Sequence, residues 1–370
     1  MTKHLVLAGG GHAHMATLAN IDRFIKKGHK VSLIGTSGYH YYSGMGPGML
    51  GNTYSPEEIR FETRQMVEKK GGRFLQGNIV TIDADAGTVH LASGETVPYD
   101  VLSCNLGSHV PLHFIRGDST DIYPVKPIES LLAAKNRILE KSAIKQISIG
   151  IIGGGPSAVE IAGNIHRLTN TSGMRHADIK ILCSGPILPR SPDKVRKKVS
   201  ASFQKRGIDI LMGERVKEVR TGLVTEVSGK TRAFDIILLA VGVNPSPVFK
   251  ASGIPIGPDG GMQVNRFLQS IQYDNIFGGG DCIWFQEAPL DKVGVYAVRQ
   301  NPVLFHNLTA ALDGSEFLPF IPQRGYLLIF NLGDGTGIFY KRPICFNGRI
   351  AFIIKDYIDR HFMRKFKRAM

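Results

Sequence analysis

The run His4-Leu5-Val6-Leu7-Ala8-Gly9-Gly10-Gly11-His12-Ala13-His14 decides the fold of this chain. Its mostly apolar start reads as a buried strand, and three consecutive glycines break that strand sharply. The sequence beyond predicts a helix to about Lys27 and a second strand over Lys30-Val31-Ser32-Leu33-Ile34. Strand, turn, helix and strand in about 30 residues make a βαβ unit. The same order returns at residues 147–183. There Ile147 to Ile152 reads as strand, Gly153-Gly154-Gly155-Pro156 as turn, the stretch through Leu168 as helix and Lys180-Ile181-Leu182-Cys183 as strand. Such alternation argues for parallel sheets covered on both faces.

Each unit is followed by an antiparallel excursion. Ile79–Asp83, Thr88–Leu91 and Glu95–Pro98 are short strands after the first, and Val216–Val227 with its Ser228-Gly229 turn follows the second. Apolar strands Tyr99–Cys104 and Asp235–Val241 close the excursions and lead into Asn105-Leu106-Gly107-Ser108 and Gly242-Val243-Asn244-Pro245. After about residue 315, Tyr326–Leu332, Ile338–Tyr340 and Ile350–Ile354 read as a β-rich cap. The expected fold class is therefore α/β, with two Rossmann-like dinucleotide-binding domains, the second inserted in the first. Residues 1–112 with 256–314 form the first, 113–255 the second, and 315–370 a small C-terminal cap ending in a basic amphipathic helix.

Composition narrows the class. The 370 residues carry 45 Lys+Arg against 31 Asp+Glu, a formal charge of +14, with 43% hydrophobic and 21% charged residues. That balance excludes a disordered or fibrous chain. No apolar run approaches the ~18 residues of a membrane span. The first apolar run is too short for a signal peptide, so a reduced, cytoplasmic setting is expected. Cysteines 104, 183, 282 and 345 have no close spacing, which argues against a disulfide scaffold, a zinc ribbon or a thioredoxin-type pair. No metal site is expected. The positive charge admits nucleic acid, but no RNA-binding signature or recognition-helix pattern is present, so no nucleic-acid partner is expected. Forty-three glycines exceed the ~26 of average usage and cluster beside the apolar runs.

The two turns are candidate phosphate sites. A helix starting at a glycine turn aims free N–H groups and a positive dipole end at a pyrophosphate. Gly9 and Gly11 satisfy G-x-G, followed by His12 and Ala13, while His14 stands at the third glycine position. The acid that usually ends the second strand and grips a ribose is missing; Thr36 or Ser37, or backbone and water, take its place. In the second turn Gly153, Gly155, Pro156 and Ser157 are the candidates, with Ala158 at the third small position. Here too no acid follows the strand, and Arg190 is a candidate for a 2′-phosphate or a plain surface charge. NADH and NADPH both stay open.

With Asp274-Asn275-Ile276-Phe277-Gly278-Gly279-Gly280-Asp281, these turns resemble the two-dinucleotide-binding-domain flavoproteins of the pyridine nucleotide-disulfide oxidoreductase fold. The resemblance covers essentially the whole chain and points to the type II NADH dehydrogenase and sulfide:quinone reductase branch. Tyr123-Pro124-Val125-Lys126-Pro127-Ile128-Glu129 is similar to that branch's passage into its second domain. Within the branch, the chain is most similar to the flavoprotein domain fused to selenophosphate synthetase. His12-Ala13-His14, Tyr42-Ser43-Gly44-Met45, Val295-Tyr296-Ala297-Val298-Arg299-Gln300 and the segment Lys355 to Met363 carry that likeness.

The resemblance implies FAD at the first turn, held by Gly9, Gly11, His12 and Ala13, with Thr36, Ile79, Asn105 and Gly107 around it. Gly280 and Asp281 would serve the ribityl chain, Asp281 accepting a hydroxyl. Pro47 and Gly48 would lie near the flavin ring, and Gly294, Val295 and Ala297 would put a helix start beside its pyrimidine edge. NAD(P)H, the implied electron donor, would meet Gly153, Gly155, Pro156, Ser157, Glu160 and Gly242, with Glu160 the candidate for nicotinamide positioning or a plain helix-surface acid.

Departures from the branch shape the functional expectation. Tyr39–Leu50 holds no cysteine pair, so no redox-active disulfide is expected. The second turn lacks the cysteine of sulfide:quinone reductases, and Cys345 alone makes no pair. Both glutamines of the Ala-Gln-x-Ala-x-Gln pattern near the quinone are replaced in Gly294–Gln300. The expectation is an FAD-dependent oxidoreductase passing electrons from NAD(P)H to a quinone-like acceptor at the membrane surface. The alternative is an FAD-bound redox sensor or a sulfur- or selenium-linked flavoprotein without nicotinamide turnover.

His12 and His14 either pack under the helix, meet a phosphate or relay protons; His40 with Tyr39, Tyr41 and Tyr42 lines a channel or forms core. Ile354, Ile358, Phe362 and Phe366 recur every four residues, one apolar stripe of a helix over 353–368. From Lys355 to Met370 six basic and two acidic residues give +4. Such an end suits an anionic membrane surface, peripheral on its inner face, or docks on its own protein. A homodimer is left open.

Overall fold

The computed structural model describes residues 1–171 and 174–367. Two five-stranded, wholly parallel sheets form its frame. The first runs in the spatial order Ile276–Gly278, Val101–Cys104, His4–Ala8, Lys30–Gly35 and Arg73–Gln76. The second runs Ile122–Pro124, Ile236–Leu239, Ser148–Ile152, Asp178–Cys183 and Ile208–Met212. All of the second sheet lies, in sequence, between two neighbouring strands of the first. Each frame carries a three-stranded antiparallel excursion, Ile79–Asp83 with Thr88–Leu91 and Thr96–Pro98, and Val216–Arg220 with Leu223–Glu226 and Thr231–Ala233. The central strands Leu5–Ala8 and Ile236–Leu239 are buried throughout, which accounts for their unbroken apolar character.

Three expectations are corrected. The helix predicted to Lys27 is divided into Met15–Ala19 and Ile21–Lys26. Asn20 lies at the break, where its side-chain amide donates to the Ala16 carbonyl at 2.8 Å, a local bond that competes with the helix ladder. The cap is a three-stranded antiparallel sheet, Leu328–Asn331, Gly337–Lys341 and Ile344–Gly348, and Ile350–Ile354 is not one of its strands. Gly348, at φ 123°, ends the sheet and a helix occupies Arg349–Lys367. A short apolar run alone does not separate strand from helix, and Ile350, Ile353 and Tyr357 already follow helical spacing.

The apolar stripe of that helix is split. Phe362 and Phe366 are buried with Met363 against the body of the protein, whereas Ile358 faces outward with Ile350, Ile353 and Tyr357. Four-residue steps advance about 40° around an α-helix, so such a stripe winds from one face to another. The basic charges divide likewise. Lys355 is enclosed, Lys367 Nζ donates to the carbonyl of Glu58 at 3.1 Å, and residues 368–370 lie outside the described residues.

The cap touches the second unit backbone to backbone. A Cβ on Gly163, in the helix Pro156–Thr171, would lie 2.2 Å from the Leu332 carbonyl oxygen. Backbone cannot yield as a flexible side chain does, so Gly163→Ala is expected to cost about 1–3 kcal/mol. A denaturation midpoint equal to wild type would show that the contact is loose.

Candidate cofactor and substrate cavity

The carboxyl ends of both parallel sheets open onto one cavity of about 1430 Å³. Ligands of open α/β sheets bind at that edge. The volume exceeds the ~300–1,000 Å³ of an ordinary ligand pocket and leaves room for more than one nucleotide.

The first turn is built around Asn105. Its Oδ1 accepts the Ala13 amide at 3.1 Å and its side-chain amide donates to the Gly279 carbonyl, joining the turn to Gly280-Asp281. Gly9 has φ 90°, and a Cβ there would meet the Asn105 carbonyl oxygen at 2.4 Å; one on Gly11 would meet Asn105 Oδ1 at 2.1 Å. A side chain at Gly9 would need a left-handed backbone and would strike main chain, and one at Gly11 would displace the Asn105 carboxamide. His14 is a structural clip. Its Nδ1 bonds the Gly9 carbonyl at 2.6 Å and its Nε2 the Ser103 hydroxyl at 2.8 Å, and burial pushes the imidazole down to about 4. None of the hydrogen bonds among the described residues uses the amides of Gly10 or Gly11. Those free donors at a glycine turn fit a diphosphate.

The second turn repeats this design. Gly153, at φ 125°, would place a Cβ 2.1 Å from the Ala240 carbonyl oxygen, and Gly155 faces open space. Gly155, Pro156, Ser157 and Gly242 line the same cavity. Arg190 also borders it, but its guanidinium pairs with Asp291, whose other oxygen accepts the Tyr326 hydroxyl at 2.9 Å. Beside the second turn the strand closes on Cys183-Ser184-Gly185, and Glu214 reaches the cavity from the neighbouring strand, its amide bonded to the Cys183 carbonyl at 3.1 Å.

Most residues expected at the cofactors do meet here. Gly9, Gly11, His12, Thr36, Pro47, Ile79, Asn105, Gly107, Gly280, Asp281, Gly294 and Ala297 line the cavity, as do Gly153 and Glu160. Three do not. Ala13 lies under the turn with its amide spent on Asn105, Gly48 packs on the Tyr54 ring, and Val295 is half-buried away from the lining.

Between the two turns stands an ion pair. Lys126 Nζ lies 2.5 Å from Asp281 Oδ2 and donates at 2.8 Å to Ser108 Oγ, which in turn donates to Asp281 at 2.8 Å. Burial pushes the Asp281 carboxyl up, but the Lys126 ammonium and the two hydrogen bonds outweigh it and hold the group below the usual carboxylate range. His12 shares a 3.2 Å hydrogen bond with His40 and packs on Tyr42 and Phe362; burial, with Lys126 adding to it, pushes it down to about 3.

A second buried network joins Glu160 to the terminal helix. Glu160 Oε1 accepts the Asn331 amide at 2.8 Å, and burial raises its pKa despite the Lys355 ammonium. It is no surface acid. Lys355 bonds Asp359 at 2.8 Å and the Gly44 carbonyl at 2.8 Å, and Tyr42 donates to Asp359 at 3.0 Å. Lys355 and Asp359 had read as part of a basic tail; their i,i+4 spacing, on the face opposite Ile353 and Tyr357, was the available signal. All four cysteines are free, and Cys183 alone among them lines the cavity.

Comparison with known proteins agrees with this architecture. The family model described as pyridine nucleotide-disulphide oxidoreductase matches residues 3–307. A type II NADH:quinone oxidoreductase of Staphylococcus aureus (strain MSSA476) is 24% identical over 384 aligned positions, 96% of this chain and 94% of that protein. The solved sulfide:quinone oxidoreductase of Aquifex aeolicus superposes with TM-score 0.80 at 21% identity, covering 100% of this chain and 92% of that one. NDH2 of Plasmodium falciparum, solved with NADH, gives 0.82 at 16% identity, covering 99% and 98%. The match spans more than half of the chain, both glycine turns included: the protein belongs to the pyridine nucleotide-disulphide oxidoreductase family, whose members are flavoprotein enzymes that use FAD and a pyridine nucleotide.

Proposed function

We propose that this enzyme passes electrons from NAD(P)H through FAD to a quinone-like acceptor at a membrane surface. The observation that carries the reading is that both glycine turns open onto one cavity, with a buried acid at its end against the terminal helix. FAD, when bound, takes a hydride from the nicotinamide and returns two electrons to the acceptor. Residues 1–112 with 256–314 would hold FAD, 113–255 the nicotinamide nucleotide, and 315–370 would cover the acceptor side. The free amides of Gly10 and Gly11 would bind the FAD diphosphate, and Asp281 would accept a ribityl hydroxyl. Glu214 would serve the adenosine ribose of the nicotinamide nucleotide from the next strand over.

Reducing a quinone to a hydroquinone consumes two protons besides two electrons. Glu160 is suited to pass one on: Oε1 is occupied by the Asn331 amide, burial raises the pKa of the carboxyl, and Oε2 is left to take up and release a proton. Membrane contact rests on the outward apolar residues Ile350, Ile353 and Tyr357 of the terminal helix. No described helix is long and apolar enough to cross a membrane.

Anaerobic titration with NADH and then NADPH tests the reading. Flavin absorbance is expected to bleach with one of them and to return on adding a quinone, faster with anionic vesicles present. A flavin that neither nucleotide bleaches would remove nicotinamide turnover from the proposal.

A further inference from the structure

We infer that Lys126 is the fixed positive charge that sets the reduction potential of the flavin, with Asp281 as its counterweight. The inference rests on the FAD reading of the cavity. Lys126 follows the Ile122–Pro124 strand of the second sheet, whereas Ser108 and Asp281 follow strands of the first, so the ion pair spans both units where their strand ends converge. An ammonium has three N–H donors. One goes to Asp281 and one to Ser108; the third has no acceptor among the described residues, and the side chain, 26% exposed, lines the cavity.

The neighbouring bases do not share this charge. His12 and His40 are both driven neutral by burial, with Lys126 itself contributing. Lys292 lies near Asp281 but is committed to Asp259 at 2.7 Å and to the Ile283 carbonyl. Hydride transfer from NADH adds two electrons and one proton to FAD and releases NAD⁺, leaving one negative charge on the flavin. A fixed cation lining the cavity binds that state better than the oxidised one, and no reorganisation is needed. Asp281 tempers the effect. Its carboxylate cancels part of the ammonium's field, and a hydroxyl donated to it by bound FAD would spread that charge.

The test is the two-electron midpoint potential of the flavin-loaded protein, read against an indicator dye during slow reduction. Lys126→Met is expected to lower the preference for reduced over oxidised flavin at least tenfold, a fall of about 30 mV or more. Asp281→Asn is expected to shift the potential upward, and the double variant to return toward wild type. A purely structural pair would give no such opposite shifts. Lys126→Arg should stay near wild type because it keeps the charge. An unchanged potential in Lys126→Met, or shifts of the same sign in both single variants, would overturn the inference. Where Lys126→Met retains no flavin, Lys126→Gln is held to the same outcomes, and affinities of its apoprotein for oxidised and for reduced FAD replace the potential. A wild-type protein that binds no FAD would instead defeat the reading on which the inference rests.

Discussion

Glu160→Gln is expected to cut quinone-reducing turnover by about 10²- to 10⁴-fold while leaving reduction of the flavin by NADH close to wild type. The substitution keeps the shape of the side chain and its bond to the Asn331 amide, and removes only the ability of the carboxyl to take up and release a proton. Stopped-flow measurement of the two half-reactions separates the outcomes. A loss confined to the NADH half-reaction would assign Glu160 to nicotinamide positioning instead. The pH profile carries an independent sign. Burial raises the Glu160 pKa, so the protonated form survives above the ordinary carboxylate range and is lost as pH climbs through the raised value. Acceptor reduction should therefore fall on the alkaline side in wild type, and the Gln variant should lack that limb. Stability follows the same direction, since a carboxyl whose folded pKa is raised favours the fold below its unfolded pKa and loses that contribution as pH rises.

Asp359→Ala is expected to destabilise the protein by about 3–5 kcal/mol. Asp359 is only 4% exposed and carries both the Lys355 ammonium and the Tyr42 hydroxyl. Removing it leaves an enclosed cation with no carboxylate at hydrogen-bond distance, which is the costly way to break a buried pair. The desolvation of Lys355 opposes its charge, yet Asp359 and Glu160 outweigh that and hold its pKa above the usual lysine range. Chemical denaturation at neutral pH measures the loss. Replacing both partners, as Lys355→Met with Asp359→Leu, should recover most of the stability and none of the coupling between the terminal helix and the Gly44 loop. A single variant as stable as wild type would mean that water reaches Lys355.

Much of the frame is legible in the residues because it rests on local rules. A glycine turn after an apolar strand admits few readings, and the repeat at residues 147–183 confirms that the first instance is not accidental. Gly9 and Gly153 are forced by close backbone approaches that any Cβ would violate, and Gly11 by the Asn105 side chain packed against it. The parts that escaped are those in which distant segments meet. Lys126 becomes a cavity residue only because the strand Ile122–Pro124 delivers it to Asp281, 155 positions later in the chain. Lys355 and Asp359 carry the composition of a solvated helix face, and nothing local says that Gly44 and Tyr42 enclose them. Glu214 reaches the cavity from the end of a different strand, where no local pattern points to it. The apolar segment Ile350–Ile354 was ambiguous for the opposite reason, since its own pattern suits strand and helix alike.

The pairing of Val101–Cys104 with Ile276–Gly278 imposes an order on synthesis. When the first emerges from the ribosome, its partner is still more than 150 residues from being made, and an unpaired parallel edge stays open meanwhile. The intervening unit has all five of its own strands by Leu239 and can fold as a completed body while its host waits. Gly280-Asp281 is supplied immediately after that late strand. A nascent chain thus completes the enclosure between the two sheets only once residue 281 has been made, and before that point only part of the cavity lining exists.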